Sequence, residues 1–131
     1  LCGLIFELFA RLKEENNEST RAAQVYARRA EDYIQSNYMY DISVAGIAKM
    51  LGIDRRYLYK IFTEYIGMSP QKYILKYRLG KAVELLSQHD CFVSEAARSC
   101  GYKDTFNFSK MFKKEYGISP SEYKRKFFRQ K

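Results

Sequence analysis

The sequence predicts an all-α protein: two helix-turn-helix subdomains joined by a long linker helix, about seven helices in total, with an N-terminal helical appendage. Three observations support this fold class. Apolar residues recur at three- and four-residue spacings along most of the chain, as they do on the buried face of a helix. There are only two prolines and few of the alternating β-branched runs that predict strands. A stretch of more than twenty residues also occurs twice.

The duplicated stretch covers residues 52–73 and 101–123. Upstream of it, Ala48 recurs as Ala97. Two copies predict two similar supersecondary units, and they are too few for a solenoid. The matching residues, 50 positions apart, are Asp54, Phe62, Gly67, Ser69, Pro70 and Tyr73 in the first copy and Asp104, Phe112, Gly117, Ser119, Pro120 and Tyr123 in the second.

Each copy predicts a helix that starts at an aspartate and ends at a glycine. Asp104 suits the N-cap position because its carboxylate can accept hydrogen bonds from the first backbone N–H groups. Phe108, Met111 and Phe112 then share one face of the helix. Gly117 can end the helix in the left-handed conformation. A Ser-Pro pair follows, which suits the N-cap and first position of a further helix.

The rest of the chain is assigned in order. Residues 1–12 carry a broad apolar stripe and predict a helix, whereas residues 13–20 are polar and lack periodicity, which predicts a linker. Residues 21–37 predict a helix, followed by a break and a short helix over 44–51. Further helices are predicted over 70–88, 92–100 and 120–129. The side chains expected to face the core from 21–37 are Val25, Tyr26, Ala30, Tyr33 and Ile34.

These elements group into three regions. Residues 1–24 are expected to be the tail of an upstream regulatory domain and its linker. Residues 25–88 form the first helix-turn-helix subdomain with the joining helix, and residues 89–131 form the second. On the joining helix, Arg78 is expected to be structural, with a carboxylate partner. Gly80, which costs about 1 kcal/mol relative to Ala in a helix interior, is expected to allow another helix to approach closely.

The charge of the chain favours a polyanionic partner. Residues 1–25 carry three Lys or Arg against four Asp or Glu, whereas residues 26–131 carry twenty against eleven. A basic compact domain suits nucleic acid first and an acidic membrane surface second. No apolar run approaches the length of a membrane span, so no membrane partner is expected.

The composition predicts no metal, no cofactor and no catalytic site. Three cysteines form no CxxC pair, and Cys91 and Cys100 have poor spacing for a metal. Sparse cysteines suit a reducing cytoplasm. The lone His89 lies in a predicted loop and is more typical of a surface residue than of a catalyst.

With these motifs in view, residues 25–128 resemble the C-terminal DNA-binding domain of the AraC/XylS family of bacterial transcription regulators. The resemblance rests on IAxxxG, a capped helix ending in Phe, and GxSPxxY, repeated across a joining helix, with Ala96 in place of the larger aliphatic residue in the second copy. It implies a homeodomain-like fold, sequence-specific duplex DNA binding and, most often, activation of transcription in the bacterial cytoplasm at the nucleoid. It further implies RNA polymerase as a partner and a possible homodimer through the upstream domain.

The resemblance also implies which residues contact DNA. The base-contact positions of the first unit are Arg55, Arg56, Tyr59 and Lys60, and the equivalent face of the second carries Thr105, Phe106, Asn107, Ser109 and Lys110. Arg56 suits guanine, Asn107 suits adenine, and apolar contact with thymine methyl groups would explain an exposed Phe106. Phosphate contacts are expected from Lys113, Lys114 and the helix N-termini at Ser43 and Val93. The joining helix, about 27 Å long at 1.5 Å per residue, predicts that one chain contacts two adjacent major-groove segments.

Two other classes of function are alternatives to DNA binding. An alkyl-transfer enzyme would need a reactive cysteine, but Cys91 and Cys100 form no recognisable catalytic or metal-binding motif, and His89 and Asp90, which precede Cys91, lie in a predicted loop. A protein-interaction module, using the basic faces for polymerase or the 1–12 helix for a dimer, is compatible with DNA binding.

Overall fold

The computed structural model describes the backbone of residues 2–128 and the side chains of residues 17–128. Within that range the chain forms α-helices and no strands, which confirms the predicted all-α class. The helices are α1 (Cys2–Asn37), α2 (Val44–Leu51), α3 (Arg55–Ile66), α4 (Pro70–Gln88), α5 (Val93–Ser99), α6 (Thr105–Tyr116) and α7 (Pro120–Phe127).

The chain divides into two compact units. Unit 1 contains the residues before Ile34 together with Val44–Pro70, and unit 2 contains Ile34–Ser43 together with the residues from Gln71 onward. The predicted boundary after residue 88 placed the joining helix α4 in the first subdomain. Most of α4 instead belongs to unit 2, because Leu79 and Leu86 are fully buried in the core of that unit. The assignment of residues 1–24 to an upstream domain stays a prediction.

Helix α1 runs without interruption from Cys2 to Asn37, so the linker predicted over residues 13–20 is wrong. The segment contains Lys and Glu, which are good helix formers, and its Asn, Ser and Thr residues cost only a few tenths of a kcal/mol each. Helix nucleation is the unfavourable step, whereas extension of an existing helix is easy. A polar segment between two helical ones therefore continues the helix.

The buried side of α1 differs from the predicted one at Val25. The side chains of Ala23, Ala27, Ala30 and Ile34 are buried, whereas Val25 is 47% exposed. The buried positions follow spacings of four, three and four residues, and Val25 lies about 200° around the helix from Ala23 at 100° per residue. The larger side chain of Val25 has the stronger hydrophobic signal, but small alanines form most of this buried face.

Helices α3 and α6 start and end as predicted. The backbone N–H of Arg56 donates to the Asp54 carboxylate at 2.9 Å, and that of Phe106 donates to the Asp104 carboxylate at 3.0 Å. Gly67 and Gly117 end the helices with left-handed φ values of 94° and 81°. The same local signals thus produce the same 12-residue helix twice.

The core of unit 2 contains a cluster of aromatic rings. Phe108 and Phe112 are fully buried, with ring centroids 5.8 Å apart. The ring of Tyr102 lies 5.2 Å from that of Phe108, and the ring of Tyr123 lies 5.6 Å from that of Phe112. These contacts join the turn before α6, α6 itself and α7 into one packed cluster.

Helix α5 starts one residue later than predicted, at Val93. Phe92 precedes it as the N-cap and offers no side-chain acceptor. Its backbone N–H instead donates to the Glu95 carboxylate at 3.4 Å. The Glu95 side chain thereby accepts the backbone N–H of the N-cap residue, as the glutamate of a capping box does. Helix α7 ends at Phe127 with Phe128 as its C-cap, so the predicted end at residue 129 is two residues too late.

Two expectations about α4 are wrong. Arg78 binds backbone carbonyl oxygens, those of Tyr38 and Tyr40, and not a carboxylate. These carbonyls follow the end of α1, where no helical N–H group is available to them. Apart from the adjacent backbone of α4, no atom of the described residues lies within 4 Å of a Cβ placed on Gly80, so no described helix contact requires this glycine.

Candidate nucleic-acid interface

The first candidate surface lies on α3 in unit 1. The side chains of Arg55, Arg56, Tyr59 and Lys60 are all exposed, and we call them the first reading face. At 100° per residue they cover an arc of about 140°. The opposite side of α3 carries Leu58, Ile61 and Phe62, all buried. Core packing therefore fixes which side of α3 faces solvent, and three of the four solvent-facing side chains are basic.

The second candidate surface lies on α6 in unit 2. Phe106, Asn107 and Lys110 are exposed, whereas Thr105 and Ser109 are half-buried; together these five residues form the second reading face. Phe108 and Phe112 hold the other side of α6 in the core. Phe106 is 79% exposed, more than any other large hydrophobic side chain whose surroundings the structure describes.

The predicted phosphate-contact residues are separate from the nine residues that define these two faces. Lys113 and Lys114 are exposed in the last turn of α6. Ser43 is exposed directly before α2, and Val93, the first residue of α5, is half-buried. Helix N-termini carry unpaired N–H groups and a partial positive charge, which suit a phosphate oxygen. The two lysines add full charges on unit 2.

One pair of basic residues was missed by the sequence analysis. Lys49 is exposed in the last turn of α2, and Arg98 is exposed in the last turn of α5. The two residues are 49 positions apart, which is the offset that relates Ala48 to Ala97. That shared offset was the signal in the sequence, and it marks an equivalent cation in both units.

The titratable groups in the core of unit 2 are held neutral. Burial raises the pKa of the Cys100 thiol to about 11 and that of the Tyr102 hydroxyl to about 12. Burial also raises the pKa of the half-buried Cys91 thiol. Nucleophilic cysteines need the opposite shift, because the thiolate is the reactive form. Among the described side chains, no cluster of His, Cys, Asp and Glu is arranged to hold a metal ion.

The described part of the chain also contains no helix that combines the length and the hydropathy of a membrane span.

Comparison with known proteins gives consistent matches. A family model described as a helix-turn-helix domain matches residues 47–126. The chain is 40% identical over 100 residues to the lactose operon transcription activator of Staphylococcus xylosus. The aligned region covers 76% of this chain and 36% of that protein. This chain spans between 36% and 47% of the length of three curated relatives that it matches.

Solved structures show the same fold. The C-terminal domain of AraT, a response regulator from Geobacillus stearothermophilus, superposes with a TM-score of 0.79 at 32% identity, covering 81% of this chain and 88% of that one. A transcriptional regulator of the AraC-type DNA-binding class from Chromobacterium violaceum superposes with a TM-score of 0.71 at 28% identity, covering 81% and 95% respectively.

Proposed function

This chain belongs to the AraC/XylS family of bacterial transcription regulators, and from that premise we propose that it binds duplex DNA sequence-specifically with α3 and α6 in adjacent major-groove segments. One observation carries the proposal. Two helices of 12 residues each have the same cap and the same glycine end. Each keeps a polar face in solvent while its opposite face fills a core. A helix held in this way has the size and exposure that the major groove admits.

The first reading face is suited to hydrogen-bonded recognition of bases. Arg56 has a planar fork that fits the O6 and N7 acceptors of guanine, a contact worth about 1–3 kcal/mol of discrimination. Tyr59 offers a hydroxyl for a base edge or a phosphate. Lys60 supplies a point charge one helical turn after Arg56. Arg55 lies at the start of α3, where phosphate and base contacts are both within reach.

The second reading face has different chemistry. Asn107 can bind the N6 and N7 atoms of adenine, and Lys110 can donate to guanine O6 and N7. Thr105 and Ser109 offer short hydroxyl groups closer to the helix axis. Because this face and the first one differ at nearly every position, the DNA site of one chain is expected to be asymmetric rather than palindromic.

Phosphate contacts supply affinity without sequence information. The residues proposed for this role are Lys113 and Lys114 on α6, the helix starts at Ser43 and Val93, and the equivalent pair Lys49 and Arg98. Each neutralised phosphate releases counterions, so binding should weaken steeply as salt concentration rises.

The whole regulator is proposed to act in the bacterial cytoplasm, at the nucleoid, as a transcription activator that contacts RNA polymerase. A relative of 40% identity is named a transcription activator, which supports this direction of control. Dimerisation through an upstream regulatory domain is proposed with it. Both a small-molecule effector and a receiver domain are compatible with such an arrangement.

An enzymatic role is not proposed. The alkyl-transfer alternative depends on a reactive cysteine, and burial raises the pKa of the Cys100 thiol to about 11. The Cys91 thiol is half-buried, contacts the carbonyl oxygen of Leu85 at 3.8 Å, and also has a raised pKa. Both thiols are therefore poor nucleophiles near neutral pH.

Charge reversal on the two reading faces tests the proposal. Lys60→Glu and Lys110→Glu are each expected to weaken binding to a selected duplex by at least about tenfold, since each removes a cation and adds a repelled anion at the groove. Lys126→Glu makes the same charge change at an exposed position on α7 and serves as the matched control. Equal losses in all three variants would indicate a general charge effect. Unchanged affinity in both reading-face variants would exclude these faces as the DNA interface.

A further inference from the structure

Phe106 lies on the second reading face, but its side chain cannot form the hydrogen bonds proposed for the other residues of that face. It is 79% exposed, and it occupies the position that Arg56 occupies in unit 1, 50 residues earlier. The aromatic cluster in the core of unit 2 contains Tyr102, Phe108 and Phe112, and Phe106 is not part of it. A phenylalanine that contributes nothing to its own core exposes apolar surface to water, which is unfavourable unless a partner covers it.

The backbone of Phe106 is held in place by the N-cap of α6. Its N–H donates to the Asp104 carboxylate at 3.0 Å, which holds the first turn of α6. Two exposed residues follow it on α6: Asn107 directly and Lys110 one turn further on. Lys113 and Lys114 follow in the last turn. The ring therefore projects from the N-terminal turn of a helix whose exposed side is otherwise polar and basic, so an apolar protein partner is a poor match for its surroundings.

Duplex DNA offers one apolar group to the major groove, the C5-methyl group of thymine. Resting on the proposed function, we infer that Phe106 is a specificity-determining residue of unit 2 that packs on a thymine methyl group. The two units then select bases by different means: unit 1 by hydrogen bonds from arginine, and unit 2 by an apolar contact flanked by Asn107 and Lys110. The contact depends on the methyl group and not on the base pair as such, so 5-methylcytosine is accepted in the same place.

The test removes the methyl group alone. In a duplex recovered by selection, each thymine is replaced in turn by uracil, which keeps every hydrogen-bonding group and deletes the methyl. One or two thymines, all in the part of the site that unit 2 contacts, are expected to show an effect. At these positions the wild-type chain should bind the uracil duplex about fourfold less tightly, because one buried methyl-sized group is lost. The Phe106→Ala variant is expected to bind thymine and uracil duplexes equally. A cytosine at that position is expected to bind better once it carries a 5-methyl group.

Phe92→Ala provides the matched control, because Phe92 is also strongly exposed, at 72%, and lies outside both reading faces. This variant is expected to retain the full difference between thymine and uracil. Both substitutions are at exposed side chains, and circular dichroism checks that the variants are folded.

The inference is overturned if wild-type protein binds every uracil duplex as tightly as its thymine counterpart, or if Phe106→Ala keeps the discrimination. Selective binding with no methyl dependence would contradict this inference and leave the proposed function intact. Binding without any sequence selectivity would contradict both.

Discussion

The Nε group of Arg78 donates a hydrogen bond to the carbonyl oxygen of Tyr38 at 2.8 Å, and the same guanidinium donates to the carbonyl oxygen of Tyr40 at 2.9 Å. One side chain of α4 thereby satisfies two acceptors of the segment that follows α1. The guanidinium carbon also lies 5.9 Å from the centre of the Tyr102 ring. Arg78 is thus a structural residue of unit 2, tying α4 to the segment between α1 and α2.

Arg78→Lys is expected to lower the free energy of unfolding by about 1–3 kcal/mol, because a lysine ammonium cannot reproduce the planar fork and leaves a carbonyl oxygen without its donor. Urea denaturation followed by circular dichroism measures the change. Lys103→Ala is the control, since Lys103 ties the same segment through Asp41 at 3.3 Å but both side chains are more than four-fifths exposed. That pair should contribute no more than about 0.5 kcal/mol. A loss from Lys103→Ala as large as that from Arg78→Lys would contradict this account.

Two glycine-to-alanine substitutions are expected to have opposite effects. Gly80→Ala should stabilise the protein by about 1 kcal/mol, because Gly80 lies inside α4 and the added Cβ would have no described neighbour within 4 Å beyond the adjacent helix backbone. Gly101→Ala should destabilise it by at least about 2 kcal/mol. Gly101 has a φ of 94°, and its Cβ would lie 2.5 Å from the Tyr38 carbonyl oxygen. Thermal melts of the two variants provide the comparison, and changes of the same sign would refute the reasoning.

Tyr102→Phe is expected to be neutral or to stabilise the protein by up to about 1 kcal/mol. The Tyr102 hydroxyl is buried and has no hydrogen-bond partner among the described residues, so removing it removes a desolvated polar group while the ring contact with Phe108 is kept. Denaturant midpoints of the variant and the wild type measure this. A loss of more than about 1 kcal/mol would mean that the hydroxyl is bonded in solution.

Alkaline pH is expected to destabilise unit 2 through Cys100. Burial raises the pKa of this thiol from 9.0 to about 11, so the folded state holds the proton more tightly than the unfolded chain does. The resulting stabilisation is complete below about pH 9 and is lost as the pH rises through about 11. Melting temperatures from pH 8 to 11 should fall less steeply for Cys100→Ala than for the wild type. Parallel slopes for the two proteins would count against a protonated, buried thiol.

Local signals made much of the fold predictable. Asp54, Asp104, Gly67 and Gly117 act through their own backbone and side-chain chemistry, so the bounds of α3 and α6 follow from the sequence. The repeat then places the two reading faces, because the buried stripes on α3 and α6 leave only one side for solvent.

Other features depend on tertiary packing and could not be predicted in this way. The face of α1 was misassigned at Val25 because alanines, with little hydrophobic signal of their own, pack closest to the core. The partner of Arg78 was misassigned because backbone acceptors carry no signature in the sequence. The exposure of Phe106 could be expected from periodicity, but only the structure shows that the core of unit 2 is complete without it.

The central claim is that both units contact bases. Selection of binding sites from a random pool of duplex DNA, carried out with this chain and repeated at higher salt, tests it most directly. The account predicts enrichment of an asymmetric motif with two blocks about one helical turn apart. A single enriched block would mean that one unit only anchors to phosphate. Binding with no motif, lost steeply as salt rises, would contradict sequence-specific recognition altogether.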